Sequence, residues 1–335
     1  MALLTFEDIA VGLSVRSEPA TLTREAIIAF AQMYDPQPFH LDEAAGRNSL
    51  LGGLAASGWQ TSALGMRLFY DCLLSRVASM GSPGIDQLRW PRPVRPGETL
   101  TLEALVTGKR ESASRPDRGF VTFALTLRNA AGETVLTQSS PVIVQTRGAA
   151  PPRVPQGARP APSTPATLPP VPDADLMLTA FFPDLVIGDS STFGTQVFTE
   201  ELITGFGRLY DPQYFHVDAE AAKASPFGGL IASGWQTGAF WMKHYIAARQ
   251  RSTEARIAAG LPAAVGGPSP GFSNLRWLRP VFVGDSVTYG LRLIGLRRAG
   301  RSNWGVVLTE NTGHAADGSL VFAFEGRLMW PLAPS

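Results

Sequence analysis

The residues best suited to acid–base chemistry in this sequence lie in a phrase that occurs twice. Residues 34–42 read YDPQPFHLD and residues 210–218 read YDPQYFHVD. In each copy an aspartate precedes a histidine by five positions: Asp35 and His40, then Asp211 and His216. Histidine titrates near neutral pH, and a neighbouring carboxylate can orient its ring or share the protons of a bound water. The prolines between them stiffen the loop, so these four residues are the predicted catalytic groups.

A second repeated feature follows each phrase. The run ASGWQT occurs at 56–61 and again at 232–237, in each case just before an apolar stretch that we predict to be a helix. Gly58 and Gly234 would then offer unpaired N–H groups at a helix N-terminus, which carries partial positive charge. Such a group can stabilise a carbonyl oxygen that is turning into an enolate. The alternative is that these glycines allow tight packing under a sheet.

The whole chain of 335 residues is a tandem repeat. An offset of 176 carries Tyr34 onto Tyr210, and an offset of 187 carries LRW at 88–90 onto LRW at 275–277. The second copy therefore holds 11 extra residues, which fall within 244–271.

The two copies predict two domains, residues 1–147 and 176–335. Residues 148–175 are rich in Pro and Ala and have almost no large apolar side chain, so they cannot bury enough surface to fold. We predict that this segment is a linker that lets the two domains pack side by side.

Each copy has the same predicted order of elements. Thr23 and Thr199 are predicted N-caps of a short helix, which Pro36 and Pro212 bring to an end. A long buried helix follows, and then antiparallel strands such as the alternating apolar and polar residues of 121–128. The predicted fold class is α+β.

Composition excludes several function classes. The net charge is +1, with 44% hydrophobic and 17% charged residues, so no general field favours nucleic acid or an anionic membrane. We find no predicted membrane span, and the single Cys72 suits a reducing cytosol. Asp42 and Asp218 are predicted helix caps or solvated residues, which leaves no convincing metal-ligand set. No glycine-rich phosphate loop or Gly-x-Ser-x-Gly motif is present.

These motifs together resemble the MaoC-like dehydratases, the (R)-specific enoyl-CoA hydratase branch of the hotdog fold. The resemblance rests on Asp-x4-His followed by the glycine 18 residues later, and on the phrases FGGLIASGWQT and LRWLRPVFVGDSV, residues 227–237 and 275–287. It covers both halves of the chain.

The resemblance implies a double hotdog, in which two antiparallel sheets each wrap around a long buried helix and join into one continuous sheet. It implies a cytoplasmic hydro-lyase of fatty acid metabolism that adds or removes water across the 2,3-double bond of an acyl thioester. The aspartate and histidine would hold the water, and the glycine N–H would bind the thioester oxygen. Acyl-CoA would be the substrate, no metal or redox cofactor would be needed, and a homodimer of double hotdogs is compatible with it.

The chain departs from the family pattern at four positions, which we predict to contact substrate. Gln37 and Gln213 stand where the family often has asparagine, and Ser57 and Ser233 stand where it often has histidine. Two other functions stay open, a hotdog thioesterase and a non-catalytic acyl-CoA-binding subunit.

Two further sets of residues are predicted to be structural. The arginines of the repeated Leu-Arg-Trp-x-Arg-Pro phrase would pair with carboxylates, although they could also meet CoA phosphates: Arg89, Arg92, Arg276 and Arg279. His244 and His314 have no counterpart in the first copy and are predicted to lie at the surface or to be satisfied by hydrogen bonds.

Overall fold

The computed structural model describes residues 3–149, 170–171, 173–298, 300 and 302–334. Most of the predicted linker, 148–175, therefore lies outside the described residues. The described parts on either side form two similar halves, each with short helices, one long helix and antiparallel strands.

The α-helices of the described residues come in matching sets. In the first half they are α1 (Arg24–Tyr34), α2 (Pro38–Leu41), α3 (Glu43–Arg47) and α4 (Gly58–Cys72). In the second half they are α5 (Glu200–Tyr210), α6 (Tyr214–Val217), α7 (Ala219–Ala222) and α8 (Gly234–Ala258). Short 3-10 helices lie at Phe6–Asp8, Leu74–Arg76, Leu176–Thr179 and Phe182–Asp184. None of the described helices is long and apolar enough to span a membrane.

The strands form one continuous sheet. The first half supplies β1 (Ser14–Arg16), β2 (Ala20–Thr21), β3 (Gly84–Arg89), β4 (Thr99–Glu111), β5 (Arg118–Asn129) and β6 (Thr134–Gln145). The second half supplies β7 (Ser190–Val197), β8 (Gly271–Trp277), β9 (Ser286–Arg298), β10 (Trp304–Ala315) and β11 (Leu320–Pro331). Their order is β1-β4-β5-β6-β3-β8-β11-β10-β9-β7, and β2 pairs with β4.

The two halves join where β3 pairs antiparallel with β8. Gly84 and Gly271 make this close pairing possible, because a Cβ on either would lie 2.1 Å from a carbonyl oxygen of the opposite strand, that of Leu275 or of Leu88. Both glycines also have positive φ, +156° and +135°, which other residues rarely adopt. The predicted α+β double hotdog, with its joined sheets, is confirmed.

Local sequence signals set the helix boundaries as predicted. The Thr23 hydroxyl accepts a hydrogen bond from the Ala26 N–H, and Thr199 does the same for Leu202. The helices that they cap end at Tyr34 and Tyr210, just before the two Asp-Pro phrases. Caps of this kind satisfy N–H groups that have no partner inside the helix.

The two long helices are unequal, since α4 has 15 residues and α8 has 25. They pack against each other beneath the joined sheet, where the Trp59 ring lies 6.4 Å from the Trp235 ring and stacks on Phe272 at 5.3 Å. Most of the extra residues of the second copy lengthen α8 beyond the point that corresponds to the end of α4.

Candidate active site

The first copy of the repeated phrase forms a buried polar cluster around Asp35. This carboxylate is 2% exposed and accepts hydrogen bonds from the Ser57 hydroxyl at 2.6 Å and the Gln37 side-chain amide at 2.9 Å. His40 Nε2 lies 3.4 Å from Asp35 Oδ2, while its Nδ1 lies 2.7 Å from the carbonyl oxygen of Ala55. All four side chains are thus held by the chain itself.

The second copy repeats this cluster around Asp211. Ser233 donates to Asp211 at 2.7 Å and Gln213 donates at 3.0 Å. His216 Nε2 lies 3.3 Å from Asp211 Oδ2, and its Nδ1 lies 2.8 Å from the carbonyl oxygen of Ile231. The agreement within 0.1 Å between equivalent contacts means that both halves build the same site.

The two histidine tautomers follow from their backbone partners. A carbonyl oxygen can only accept, so Nδ1 of His40 and of His216 carries the proton. In a neutral ring Nε2 is then an acceptor that faces a carboxylate oxygen, which is also an acceptor. A water molecule has two donors and can satisfy both atoms at once, leaving a lone pair directed away from them.

The electrostatics of the second site favour an ionised carboxylate. Burial acts to raise the pKa of Asp211, but when the His216 ring is protonated its charge and its Nε2–H, together with the hydrogen bonds from Ser233 and Gln213, outweigh the effect of burial. The net effect is a pKa below the ordinary aspartate value. The buried side chain is therefore an anion that can hold and orient a polar ligand.

The two glycines open the long helices beside these clusters. Gly58 is the first residue of α4 and Gly234 is the first residue of α8. Among the described residues no acceptor takes either N–H, as expected for the first residue of a helix. A Cβ at Gly58 would lie 2.7 Å from the Trp90 ring, and one at Gly234 would lie 2.1 Å from the Trp277 ring. Glycine thus serves tight packing here and also leaves a free amide at the site.

Each cluster lines a cavity. The N-half cavity, about 330 Å³, is lined by Asp35, Gln37, His40 and Gly58. The C-half cavity, about 320 Å³, is lined by Asp211, Gln213, His216 and Gly234. The predicted aspartate, histidine, glycine and glutamine residues are therefore brought together in both halves.

Ser57 and Ser233 take a different place from the one predicted. Both are fully buried and do not line the cavities. Each hydroxyl donates to the aspartate and accepts from the N–H of the following tryptophan, Trp59 or Trp235. The serines thus tie the carboxylate to the N-terminus of the long helix and have no open side from which to contact a substrate.

The opposite half completes each cavity. Met242, Tyr245 and Trp330 of the second half line the N-half cavity, and residues of α4 and β6 line the C-half cavity. The hydroxyl of Ser79 donates across the halves to Gln213 at 3.0 Å. The sequence analysis did not select Ser79. The signal that could have found it is a difference between the repeats, because the residue aligned with Ser79 at the offset of 187 is Gly266.

Other predictions have mixed outcomes. Asp42 and Asp218 are confirmed as helix N-caps. Three of the repeated arginines pair with carboxylates as predicted: Arg92 with Glu133, Arg276 with Asp86, and Arg279 with Asp317.

The prediction for His244 is wrong. Its side chain is half-buried under β7 and β9, where Nε2 is enclosed and has no hydrogen-bond partner. Burial, together with the charges of Lys243 and Arg251, lowers the pKa of His244 to about 4. The first copy has the apolar Leu68 at this position, so the two halves differ here.

Comparison with known proteins agrees with this geometry. A model of the MaoC-like domain matches residues 8–126 and 186–312, which is most of each half. The chain belongs to the MaoC-like domain family. Proteins of this family are typically dehydratases or hydratases, so hydro-lyase activity is a property of the family.

Two solved structures share the architecture of the whole chain. A Chloroflexus aurantiacus protein described as a MaoC domain dehydratase is 18% identical, with 99% of this chain and 98% of that chain covered and a TM-score of 0.75. RV0216 from Mycobacterium tuberculosis, which has a double hotdog fold, is 16% identical, with 98% of each chain covered and a TM-score of 0.69. A MaoC-like dehydratase from Rhodospirillum rubrum is 44% identical over 43% of this chain and 98% of that one, with a TM-score of 0.40. The first two similarities establish the shared fold.

Proposed function

We propose that this protein is an (R)-specific enoyl-CoA hydratase, or in the reverse direction a 3-hydroxyacyl-thioester dehydratase. The observation that carries the proposal is the arrangement found twice in the chain. A buried carboxylate oxygen and a histidine Nε2 face each other at 3.3–3.4 Å in a cavity that also receives a free helix N-terminal amide.

In the hydration direction a water donates one hydrogen to the histidine Nε2 and the other to the carboxylate. As the water oxygen bonds to C3 of the enoyl thioester, the pair takes one of its protons, and the π electrons move to the thioester oxygen. The resulting enolate accepts a hydrogen bond from Gly58 N–H or Gly234 N–H, at the positive end of α4 or α8. The pair then returns the proton to C2, which completes the addition of one water molecule.

The reaction changes no net oxidation state and needs no external electron carrier. We therefore propose that the protein works without a metal or redox cofactor and takes acyl-CoA, or another acyl thioester, as substrate. The cytosolic setting stays a prediction, because Cys72 has no second cysteine in the chain with which to form a disulfide. The homodimer stays a prediction.

The direction in which the carboxylates point argues against a purely binding role. A non-catalytic subunit would be favoured by aspartates that point away from the helix N-termini. Asp35 and Asp211 instead bond to Ser57 and Ser233, the N-caps of α4 and α8. The reactive water position therefore lies beside the amide that would hold the enolate.

The test is a spectrophotometric assay of enoyl-thioester consumption with crotonyl-CoA and longer enoyl-CoAs. We expect that Asp35→Ala removes turnover in the N-half and Asp211→Ala in the C-half. The double variant should lose at least about 100-fold, the usual scale for a positioned acid–base group. Asp71→Ala is the matched control, because Asp71 is exposed and pairs with Arg67 on the outside of α4. A double variant as active as this control would refute the proposal.

A further inference from the structure

The two cavities share their catalytic residues but differ in the wall that the opposite half supplies. The N-half cavity is lined by Arg249 and Gly266, whereas the C-half cavity is lined by Ser79 and by Leu74, which directly follows Leu73, the counterpart of Arg249. Ser79 corresponds to Gly266 at the offset of 187. This part of the wall is therefore neutral in the C-half cavity and carries a positive charge in the N-half cavity.

The extra length of α8 places this cation. At the offset of 176, Arg249 corresponds to Leu73, the residue just after the end of α4 at Cys72. Because α8 continues to Ala258, Arg249 is held on a regular helix and faces the N-half cavity. The longer helix of the second half thus adds a positive charge to the wall of the cavity that contains Asp35 of the first half.

The guanidinium of Arg249 has few partners. Its Nη2 donates to the carbonyl oxygen of Ala264 at 3.0 Å, and the group lies 5.0 Å from the Trp330 ring centre and 5.8 Å from that of Tyr245. Its Nε is enclosed and has no hydrogen-bond partner. Within the described chain no carboxylate lies within 4.0 Å of this guanidinium.

The arginines that the two cavities have in common are different. Arg92 in the N-half cavity pairs with Glu133 at 3.0 Å, and Arg279 in the C-half cavity pairs with Asp317 at 3.2 Å. Their charges are already compensated, and they lie in exposed segments. Arg249 is thus the uncompensated positive charge that distinguishes the N-half cavity within the described residues.

The position of Arg249 within the cavity indicates which part of a ligand it would meet. Among the residues that line this cavity, Pro91, Arg92, Pro93 and Pro270 are exposed, so they lie toward its opening. Arg249 lies instead among buried lining residues, Tyr245, Gly266 and Trp330. A Cβ at Gly266 would lie 2.9 Å from Arg249 Nη1, so glycine leaves room for the guanidinium there.

We propose that the N-half cavity is selective for an acyl thioester whose acyl chain carries a carboxylate beyond the reacting carbons, and that Arg249 binds this carboxylate. The C-half cavity, with its neutral wall, takes an uncharged acyl chain. The inference rests on the proposed hydratase function. Its physical reason is that a guanidinium in a partly buried site binds a carboxylate through strong charge-assisted hydrogen bonds, whereas an alkyl chain leaves its charge uncompensated.

The test compares two enoyl thioesters of equal length, trans-2-hexenedioyl-CoA and trans-2-hexenoyl-CoA, which differ in a terminal carboxylate. In the Asp211→Ala background, where the N-half site acts alone, Arg249→Gln should lower kcat/KM for the dicarboxylic substrate relative to the neutral one by roughly 10- to 100-fold. Glutamine keeps a donor for the Ala264 carbonyl, and Arg249→Lys, which keeps the charge, should recover part of the loss. Arg256→Gln, on the same helix outside the cavity, is the control. Thermal unfolding of each variant checks that it folds.

The same positive charge could instead attract a phosphate of the carrier. Pantetheine thioesters of the same two acids lack the nucleotide phosphates and separate the two sources. We expect the loss of selectivity in Arg249→Gln to persist with the pantetheine thioesters. A loss seen with CoA thioesters alone, or an equal loss for the dicarboxylic and neutral substrates, would overturn the proposal.

A binding measurement keeps this proposal separate from the hydratase proposal. Calorimetric titration of the full chain with the saturated thioesters adipyl-CoA and hexanoyl-CoA needs no turnover. Weaker adipyl-CoA binding in Arg249→Gln, with no hydration of any enoyl thioester, would refute the enzyme function and leave the assigned anion contact standing. Hydration activity with unchanged adipyl-CoA binding would refute the role of Arg249 alone.

Discussion

Replacing Ser233 with alanine removes two interactions of one buried hydroxyl. The Ser233 hydroxyl is fully buried, donates to Asp211 at 2.7 Å and accepts from Trp235 N–H at 3.3 Å as the N-cap of α8. A hydrogen bond to a charged group contributes about 1.5–3 kcal/mol and an N-cap about 1 kcal/mol. We therefore expect Ser233→Ala to lower the free energy of unfolding by about 2.5–4 kcal/mol at neutral pH.

The loss should depend on pH, because Ser233 is one of the groups that hold the pKa of Asp211 below its ordinary value of 3.8. A carboxyl with a depressed pKa stabilises the fold above its unfolded pKa, and this stability is lost as the pH falls through its folded pKa. Without Ser233 the folded pKa of Asp211 rises. The stability difference between wild type and variant should then be largest above about pH 4 and shrink in more acid solution.

Urea unfolding followed by tryptophan fluorescence at several pH values measures this difference. In the Asp35→Ala background, the acid limb of the kcat/KM profile should also move to higher pH, since it reports ionisation of the remaining site. The control is Ser225→Ala, because Ser225 is equally buried but donates to the neutral Ala222 carbonyl at 2.6 Å. Because this partner is neutral, the loss of unfolding free energy in Ser225→Ala should not depend on pH. The reasoning would be refuted if Ser233→Ala lost the same free energy as this control and its loss were equally independent of pH.

Three other changes follow from contacts of single residues. Gly271 has a positive φ, and Gly271→Ala would place a Cβ 2.1 Å from the Leu88 carbonyl oxygen. This substitution should lower the free energy of unfolding, measured in urea, by at least about 3 kcal/mol. Gly205→Ala, in α5 with nothing within 4 Å of the added carbon, should raise the free energy of unfolding by about 0.5–1 kcal/mol. An equal loss of stability in both glycine variants would contradict these two predictions. His244→Leu should flatten the fall of stability between pH 6.5 and 4, because the unfolded chain binds a proton there that the folded His244, with a pKa of about 4, does not. His314→Leu, at the β10–β11 hairpin, is the histidine control for this measurement.

The sequence by itself determined the features that depend on neighbouring residues and on the repeat. The helix caps Thr23 and Thr199 act on N–H groups three residues away, so their signals are local. The Asp-Pro phrases end their helices for a similarly local reason. Recurrence of the same phrase in both halves indicated Asp35, His40 and Gly58 and their counterparts, because loop positions usually diverge between repeats.

Tertiary structure alone decided what surrounds these groups. Ser57 and Asp35 are 22 residues apart in sequence, Ser79 and Gln213 are 134 apart, and Arg249 reaches a cavity whose aspartate lies in the other half. Contacts of this range exist because β3 and β8 join the two sheets and bring each long helix beside the other half's cavity. Local propensity carries no information on such pairings, so packing between the halves decides which side chains line each cavity.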